Sequence, residues 1–133
     1  NCHNTAYFSD NKFHNIGLTY YGREYEDLGL YNTTQLAKNV GEFKTPSLRE
    51  VPQNAPYMHN GLFPTIRGVL NMYNAGMFHF QPNEKQKNDS LFPKTTELIQ
   101  KLNLNAAEMD ALEAFLMSLK QNQYKMRPPQ IPQ

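Results

Sequence analysis

The second and third residues of the chain are a cysteine and a histidine, Cys2 and His3. This pair could be the end of a Cys-x-x-Cys-His motif, in which two thiols add to the vinyl groups of haem c and the histidine binds the iron. The first cysteine of such a motif would lie two residues before Asn1, so this chain starts inside the motif and can form at most one thioether bond. Alone, the Cys-His pair is weak evidence.

The other residues that could do chemistry form no familiar catalytic or zinc pattern. Cys2 is the single cysteine and cannot form an internal disulfide, and the four histidines show no zinc-binding spacing. We interpret His14 and His59 as structural, because neither has a Ser, Cys or carboxylate partner at a suggestive spacing. A net charge of +1 without a basic stripe argues against nucleic acid as a partner. No apolar run is long enough to span a membrane.

Composition limits the kind of core that could hold these residues. The 133 residues fit one domain. Only 39% of them are hydrophobic, but eight are Tyr, eight are Phe and six are Met. A thin aliphatic core with many aromatic residues suits packing around a flat apolar group, although an ordinary small domain can share this composition.

Helical signals are strongest at two places. Thr65 is a good N-cap for a helix whose apolar face contains Ile66, Val69, Leu70 and Tyr73. Asn105 and Glu108 form a capping-box pattern before a second apolar stripe. We also expect shorter helices at residues 35–39, 47–51 and 93–102. Nothing alternates at period two, so the pattern favours an all-α domain with long loops over residues 1–124, followed by a Pro-rich extended tail at 125–133.

Several sequence blocks follow one another along the chain. They are residues 13–18 (FHNIGL), 41–49 (GEFKTPSLR), 55–61 (APYMHNG), 65–76 (TIRGVLNMYNAG) and 114–116 (AFL). In this order and spacing they closely resemble the C-terminal domain of bacterial di-haem cytochrome c peroxidases and the MauG group. The resemblance runs from residue 2 to about residue 119. It is specific because several independent blocks agree.

The resemblance implies a cytochrome c-like fold around one haem c. Cys2 would carry the thioether and His3 would be the proximal iron ligand. The family's distal ligand lies on the helix after the His-x-Gly turn, where cytochrome c peroxidases place Met and MauG-like proteins place Tyr. Counted without gaps from His59, that position is Tyr73. A core tyrosine without this role remains open, and the alternative ligands are Met72, Met58 and Met77.

Two further roles are implied by the resemblance. Arg49 matches an arginine expected near a haem propionate, for which its planar fork of donors is suited. The family also binds calcium between domains, through backbone carbonyls in the loop that matches Asn54 and Pro56. The other domain supplies a further calcium ligand, so calcium binding by this chain alone is in doubt.

Family members are periplasmic, and they reduce hydrogen peroxide or use it to oxidise a protein substrate. The peroxide-binding haem belongs to the N-terminal domain, which this chain lacks. The resemblance therefore implies an electron-relay domain, inactive as a peroxidase alone, that works with the N-terminal peroxidatic haem domain. Its other partner would be an electron donor, a small cytochrome or cupredoxin, or a protein substrate. Two alternatives remain: a haem-free fragment acting as a non-enzymatic interaction domain, and a mono-haem electron-transfer cytochrome.

Overall fold

The computed structural model describes residues 1–121, which contain three α-helices and one two-stranded antiparallel sheet. Single turns of 3-10 helix at Ala37–Asn39 and Val51–Gln53 lie between the regular elements. In chain order, the elements are β1 (Phe13–His14), α1 (Tyr31–Thr34), β2 (Phe43–Lys44), α2 (Ile66–Asn74) and α3 (Ala106–Ser118). The predicted tail at 125–133 lies outside the described residues.

Both strongly predicted helices are confirmed. Helix α2 begins after Thr65, whose side chain accepts a hydrogen bond from the Gly68 N–H at 3.1 Å. Helix α3 begins after Asn105, and its capping box is complete: Asn105 accepts from the Glu108 N–H at 3.1 Å, and Glu108 accepts from the Asn105 N–H at 2.9 Å. These contacts satisfy N–H groups that a helix start leaves without partners.

Helices α2 and α3 pack against each other over one of two apolar clusters. Its buried members are Ile66, Leu70, Met109 and Leu116. Outside the cluster, the Arg67 guanidinium donates to Glu113 at 2.7 Å and to Asp110 at 2.6 Å. Burial of the apolar side chains supplies most of the contact energy, since exposed ion pairs contribute little.

The second apolar cluster lies at the C-terminal end of α2. Its buried members are Leu18, Met77 and Ile99, and partly buried neighbours include Tyr73, Met72 and Met58. This cluster joins the segment after β1 to the end of α2. Gly17 enables the approach, because its φ of +84° suits glycine and a Cβ there would collide with the Phe78 carbonyl.

The weaker helix predictions are wrong. Residues 93–102 form no helix. Their polar groups bond to other segments instead: the Thr96 N–H donates to Asn15 at 2.8 Å, the Thr95 hydroxyl to Phe78 at 2.8 Å and the Leu102 N–H to Asn74 at 3.2 Å. The helix expected at 35–39 is replaced by α1 and a 3-10 turn. The turn expected at 47–51 occurs as 3-10 helix at Val51–Gln53.

The all-α fold prediction is also wrong. Besides the helices, the chain contains an antiparallel sheet that pairs Phe13 with Lys44 and His14 with Phe43. Long segments are held by polar side chains that bond to backbone carbonyls: Ser9 to Thr45 at 2.7 Å, Asn15 to Val40 at 3.2 Å and Thr19 to Asp27 at 2.6 Å. Side-chain bonds of this kind compete with regular backbone ladders, which explains the low helix content.

None of the helices in the described part of the chain is long and apolar enough to cross a membrane.

Candidate functional site

Residues 2–10, here called the attachment segment, contain the two residues that opened the sequence argument. The Nδ1 atom of His3 lies 2.8 Å from the carbonyl oxygen of Phe8. Since a carbonyl can only accept, Nδ1 must carry the proton and donate. In the neutral form of the ring, the lone pair is then on Nε2. Metal-binding histidines commonly show this arrangement, because the second nitrogen is oriented by a hydrogen bond.

The attachment segment is tethered to the rest of the chain through residues 45–49. Ser47 donates to the Tyr7 carbonyl at 2.7 Å, and the Arg49 guanidinium donates to the Ala6 carbonyl at 2.9 Å. The same guanidinium lies 5.8 Å from the centre of the Phe8 ring. Arg49 is therefore beside the segment that bears His3. Its guanidinium has five N–H donors, so the bond to Ala6 leaves capacity for a carboxylate.

Three side chains that could hold a metal meet at Cys2. The ligand atoms of Cys2, Asp10 and His14 all lie within 4.8 Å of one another. Asp10 Oδ2 is 2.8 Å from His14 Nε2, and both side chains are only 15% exposed. The expectation that His14 lacks a carboxylate partner is thus wrong. Asp10 lies four residues before His14, but in the absence of a helix that spacing gave no signal.

The charges in this group affect one another. The hydrogen bond from His14, then that from the Lys12 N–H, holds the pKa of the Asp10 carboxyl well below its usual range. Burial, and then the negative charge of Asp10, raises the pKa of the Cys2 thiol. The sulfur is therefore protonated beside an ionised carboxylate. Zinc accepts Cys, His and Asp, but a cation would have to displace the bond between Asp10 and His14.

Tyr73 lies in the last turn of α2, where it packs against the cluster of Leu18, Met77 and Ile99. Burial, and then the negative charge available at Cys2, raises the pKa of its phenol to about 12. No hydrogen bond to the Tyr73 hydroxyl is found among residues 1–121.

The alternative distal ligands occupy the same region. Met77 is 8% exposed, and Met58 and Met72 are partly buried against the cluster that also contacts Tyr73. The side chains of these three methionines therefore pack in the same cluster as Tyr73. Packing alone does not select Tyr73 over these methionines.

His59 stacks on an aromatic ring of the sheet. Its ring lies 3.6 Å from that of Phe43 at an interplanar angle of 9°. Burial lowers the pKa of His59, and this effect is opposed by the charge of Asp27 and a hydrogen bond to the Leu18 backbone. The ring thus joins β2 to the loop that precedes α2.

The loop residues Asn54 and Pro56 are exposed and follow the 3-10 turn at Val51–Gln53. In the described part of the chain, neither carbonyl oxygen accepts a hydrogen bond. Both oxygens are thus available to a hard cation, for which backbone carbonyls are suitable ligands. Two carbonyls are far fewer than the six to eight oxygens that calcium takes, so further ligands would be needed.

The described side chains include donor groups of the kinds that a haem c would need. Cys2 offers a thiol, His3 an imidazole with a free Nε2, and Tyr73 an unbonded phenol in an apolar cluster. Arg49 lies beside the attachment segment.

No protein-family model matches this chain, but it is similar to known proteins. The cytochrome-c peroxidase IdrP1 of Pseudomonas sp. strain SCT is 31% identical over 149 aligned residues, which cover 92% of this chain and 36% of that protein. The methylamine utilization protein MauG of Methylorubrum extorquens is 33% identical over 133 aligned residues, which cover 98% of this chain and 33% of MauG.

A solved structure is also similar. The crystal structure of a MauG-like protein associated with microbial copper homeostasis matches with a TM-score of 0.73 and 29% sequence identity, over 91% of this chain and 42% of that one. The chain spans about a third of the length of the curated relatives named above. The match thus concerns one part of larger proteins.

Proposed function

Because the chain belongs to the family of bacterial di-haem cytochrome c peroxidases and MauG proteins, as part of their C-terminal domain, we propose that it is an electron-relay haem-c domain. In this proposal it passes electrons between a partner and the peroxide-reacting haem of an N-terminal domain. When bound, haem c supplies one-electron iron chemistry.

The observation that carries the proposal is the orientation of His3. Its Nδ1 donates to the Phe8 carbonyl at 2.8 Å, so Nε2 keeps a lone pair available to iron. His3 directly follows Cys2, which carries the only thiol in the chain, and covalent attachment of haem requires this order. A histidine with a purely structural role would need neither the adjacent thiol nor the free nitrogen.

Tyr73 is the proposed distal ligand. Its phenol has a pKa of about 12 in the haem-free chain, so it is protonated near neutral pH. The phenol can lose this proton only when a strong positive charge, such as ferric iron, takes the place of the proton. A phenolate favours ferric over ferrous iron, whereas a thioether from Met72, Met58 or Met77 would favour the reduced state. The choice of Tyr73 therefore predicts a low potential and a MauG-like relay.

Other parts of the proposal rest on the family. Arg49 would hold a haem propionate, and the carbonyls of Asn54 and Pro56 would contribute to a calcium site completed by the N-terminal domain. Proteins with covalently attached haem c in this family function in the periplasm, which we propose for this chain. Its partners would be the N-terminal haem domain and an electron donor, a small cytochrome or cupredoxin, or a protein substrate.

The first experiment is a pyridine haemochrome spectrum of the full chain after loading with haem. We expect a c-type spectrum, shifted slightly because one vinyl group remains. Cys2→Ser should keep haem binding but lose covalent attachment, and His3→Ala should weaken binding. His79→Ala is the matched control, because His79 is an exposed histidine far from Cys2 in sequence. Absence of haem from the unchanged chain would refute the proposal.

A second experiment tests the relay role. The haem-loaded chain alone should show no turnover of hydrogen peroxide, and addition of a separately produced N-terminal haem domain of a relative should restore turnover. Reduced chain should be reoxidised by that domain only when peroxide is present. Full peroxidase turnover by this chain alone would contradict an electron-relay role.

A further inference from the structure

Beside the attachment segment, the structure contains a hydrogen-bonded pair to which the proposed function gives no role. We propose that Asp10 and His14 are positioning residues that present the Cys2 sulfur to a vinyl group of haem. The inference rests on the proposed attachment of haem at Cys2. Neither residue would touch the iron, and neither is a catalytic residue.

The first argument is that the sheet anchors the pair and the pair in turn holds Cys2. His14 belongs to β1, and it is paired with Phe43 of β2. Asp10 is held by two contacts besides His14: its Oδ1 accepts from the Lys12 N–H at 3.0 Å, and its own N–H donates to the Cys2 carbonyl at 2.7 Å. The sheet therefore determines where His14 is, His14 determines where Asp10 is, and Asp10 holds the Cys2 backbone.

The second argument is proximity. The Cys2 sulfur lies within 4.8 Å of both the Asp10 carboxylate and the His14 ring, and all three side chains are at most partly exposed. The polar pair restricts the space around the sulfur on one side. The pair therefore lies directly beside the Cys2 sulfur and limits the positions that the thiol can take.

The reaction that needs this positioning is an addition. The S–H bond of Cys2 breaks, a bond forms between sulfur and one carbon of the vinyl group, and the hydrogen is transferred to the other vinyl carbon. The C=C bond becomes a C–C single bond, and nothing is oxidised or reduced. Such an addition depends on geometry, since a misplacement of about 1 Å can cost roughly a hundredfold in rate.

His3 is oriented by a different contact, the hydrogen bond from its Nδ1 to the Phe8 carbonyl. Loss of the Asp10–His14 pair should therefore leave binding of haem through His3 largely intact and should reduce covalent attachment. The share of bound haem that resists acid-organic extraction separates these two properties. A residue needed only for folding would reduce both together.

The experiment compares variants of the full chain incubated with ferrous haem under reducing conditions. Asp10→Ala and His14→Leu break the pair, whereas Asp10→Asn and His14→Gln can keep a hydrogen bond. Tyr21→Phe is the matched control, because it removes a side-chain hydrogen bond of 2.6 Å to Asp89, which is distant in sequence from the attachment segment. Total haem is measured from the Soret band, covalent haem after extraction, and folding from circular dichroism.

We expect the two breaking variants to bind total haem within about twofold of the unchanged chain and to lose about tenfold in covalent share. The two conservative variants should recover most of it, and Tyr21→Phe should lose none. An unchanged covalent share in a folded breaking variant would overturn the inference. An equal loss of total and covalent haem would also overturn it, since the pair would then be structural. If the unchanged chain binds no haem, the proposed function is refuted. This result is distinct from a failure of the present inference, because it is seen without any substitution.

Discussion

The substitution Tyr73→Phe tests whether Tyr73 is a ligand of the haem iron or an ordinary core tyrosine. It removes one oxygen and leaves the ring, which packs against the cluster of Leu18, Met77 and Ile99. In the haem-free chain, the result depends on whether the hydroxyl has a partner. None is found among residues 1–121, so the ring should account for nearly all of the packing of Tyr73.

The magnitude follows from that observation. A partly buried hydroxyl with a hydrogen bond contributes about 0.5–1.5 kcal/mol to stability. Without such a bond, we expect the unfolding free energy of haem-free Tyr73→Phe to lie within about 0.5 kcal/mol of the unchanged value. In the haem-loaded chain, the same substitution removes an iron ligand. The ferric spectrum should then move toward high spin and the reduction potential should rise.

Two assays therefore give opposite results for one substitution. Denaturant unfolding of the haem-free chain should show almost no change, and the ferric absorption spectrum should show a large one. Tyr21→Phe provides the contrast: it makes the same chemical change but loses the 2.6 Å bond to Asp89, so it should reduce stability and leave the spectrum alone.

An unchanged ferric spectrum in Tyr73→Phe would refute the ligand assignment. A spectrum that changes only in Met72→Leu, Met58→Leu or Met77→Leu would assign the distal position to a thioether. A loss of more than about 1 kcal/mol in the haem-free chain would show that the hydroxyl has a bond that stabilises the fold.

Three further predictions concern the scaffold. Leu70→Ala should lower the unfolding free energy by about 2–5 kcal/mol, because Leu70 is 6% exposed between α2 and α3, and a denaturant midpoint that does not move would contradict this packing. Asn105→Ala should cost about 1 kcal/mol by thermal unfolding and Asn105→Ser much less, since serine can also cap α3; equal losses would exclude the capping explanation. The pKa of Asp10 is held below 3.8 in the folded state, so its ionised form stabilises the fold above about pH 4, and this contribution is lost as the pH falls further. Asp10→Asn should remove this part of the pH dependence of the unfolding free energy. An acid unfolding profile identical to that of the unchanged chain would disprove the prediction.

Local signals in the sequence predicted the elements they control. The caps Thr65 and Asn105 each bond to a backbone N–H three residues later, so the information for α2 and α3 lies within one helical turn. The sequence also predicted the family of the chain. The blocks at 13–18, 41–49 and 55–61 can be recognised from the order of their residues, without knowledge of the fold.

The failures have two physical causes. Residues 93–102 have a helical apolar pattern, but their donors bond to Asn15 and Asn74, which are far away in sequence. Those partners exist only once the fold has formed, so no local pattern reveals them. The pair of Asp10 and His14 was missed for a different reason: the two residues are only four apart, but no helix contains them, so their spacing gave no signal.

The hydrogen bonds around Cys2 show how a segment without regular structure is held in place. Most of the attachment segment has no helix or strand to orient it, yet Ser47, Arg49 and Asp10 bond to the carbonyls of Tyr7, Ala6 and Cys2. Ser47 and Arg49 lie outside the attachment segment, Asp10 is its last residue, and together the three donors constrain the chain on both sides of His3. Removing the backbone tether at Ser47 should therefore loosen the segment. We expect Ser47→Ala to broaden the haem spectrum of the loaded chain at constant fold stability, within about 1 kcal/mol, and a sharp, unchanged spectrum would show that the tethers at Arg49 and Asp10 are sufficient.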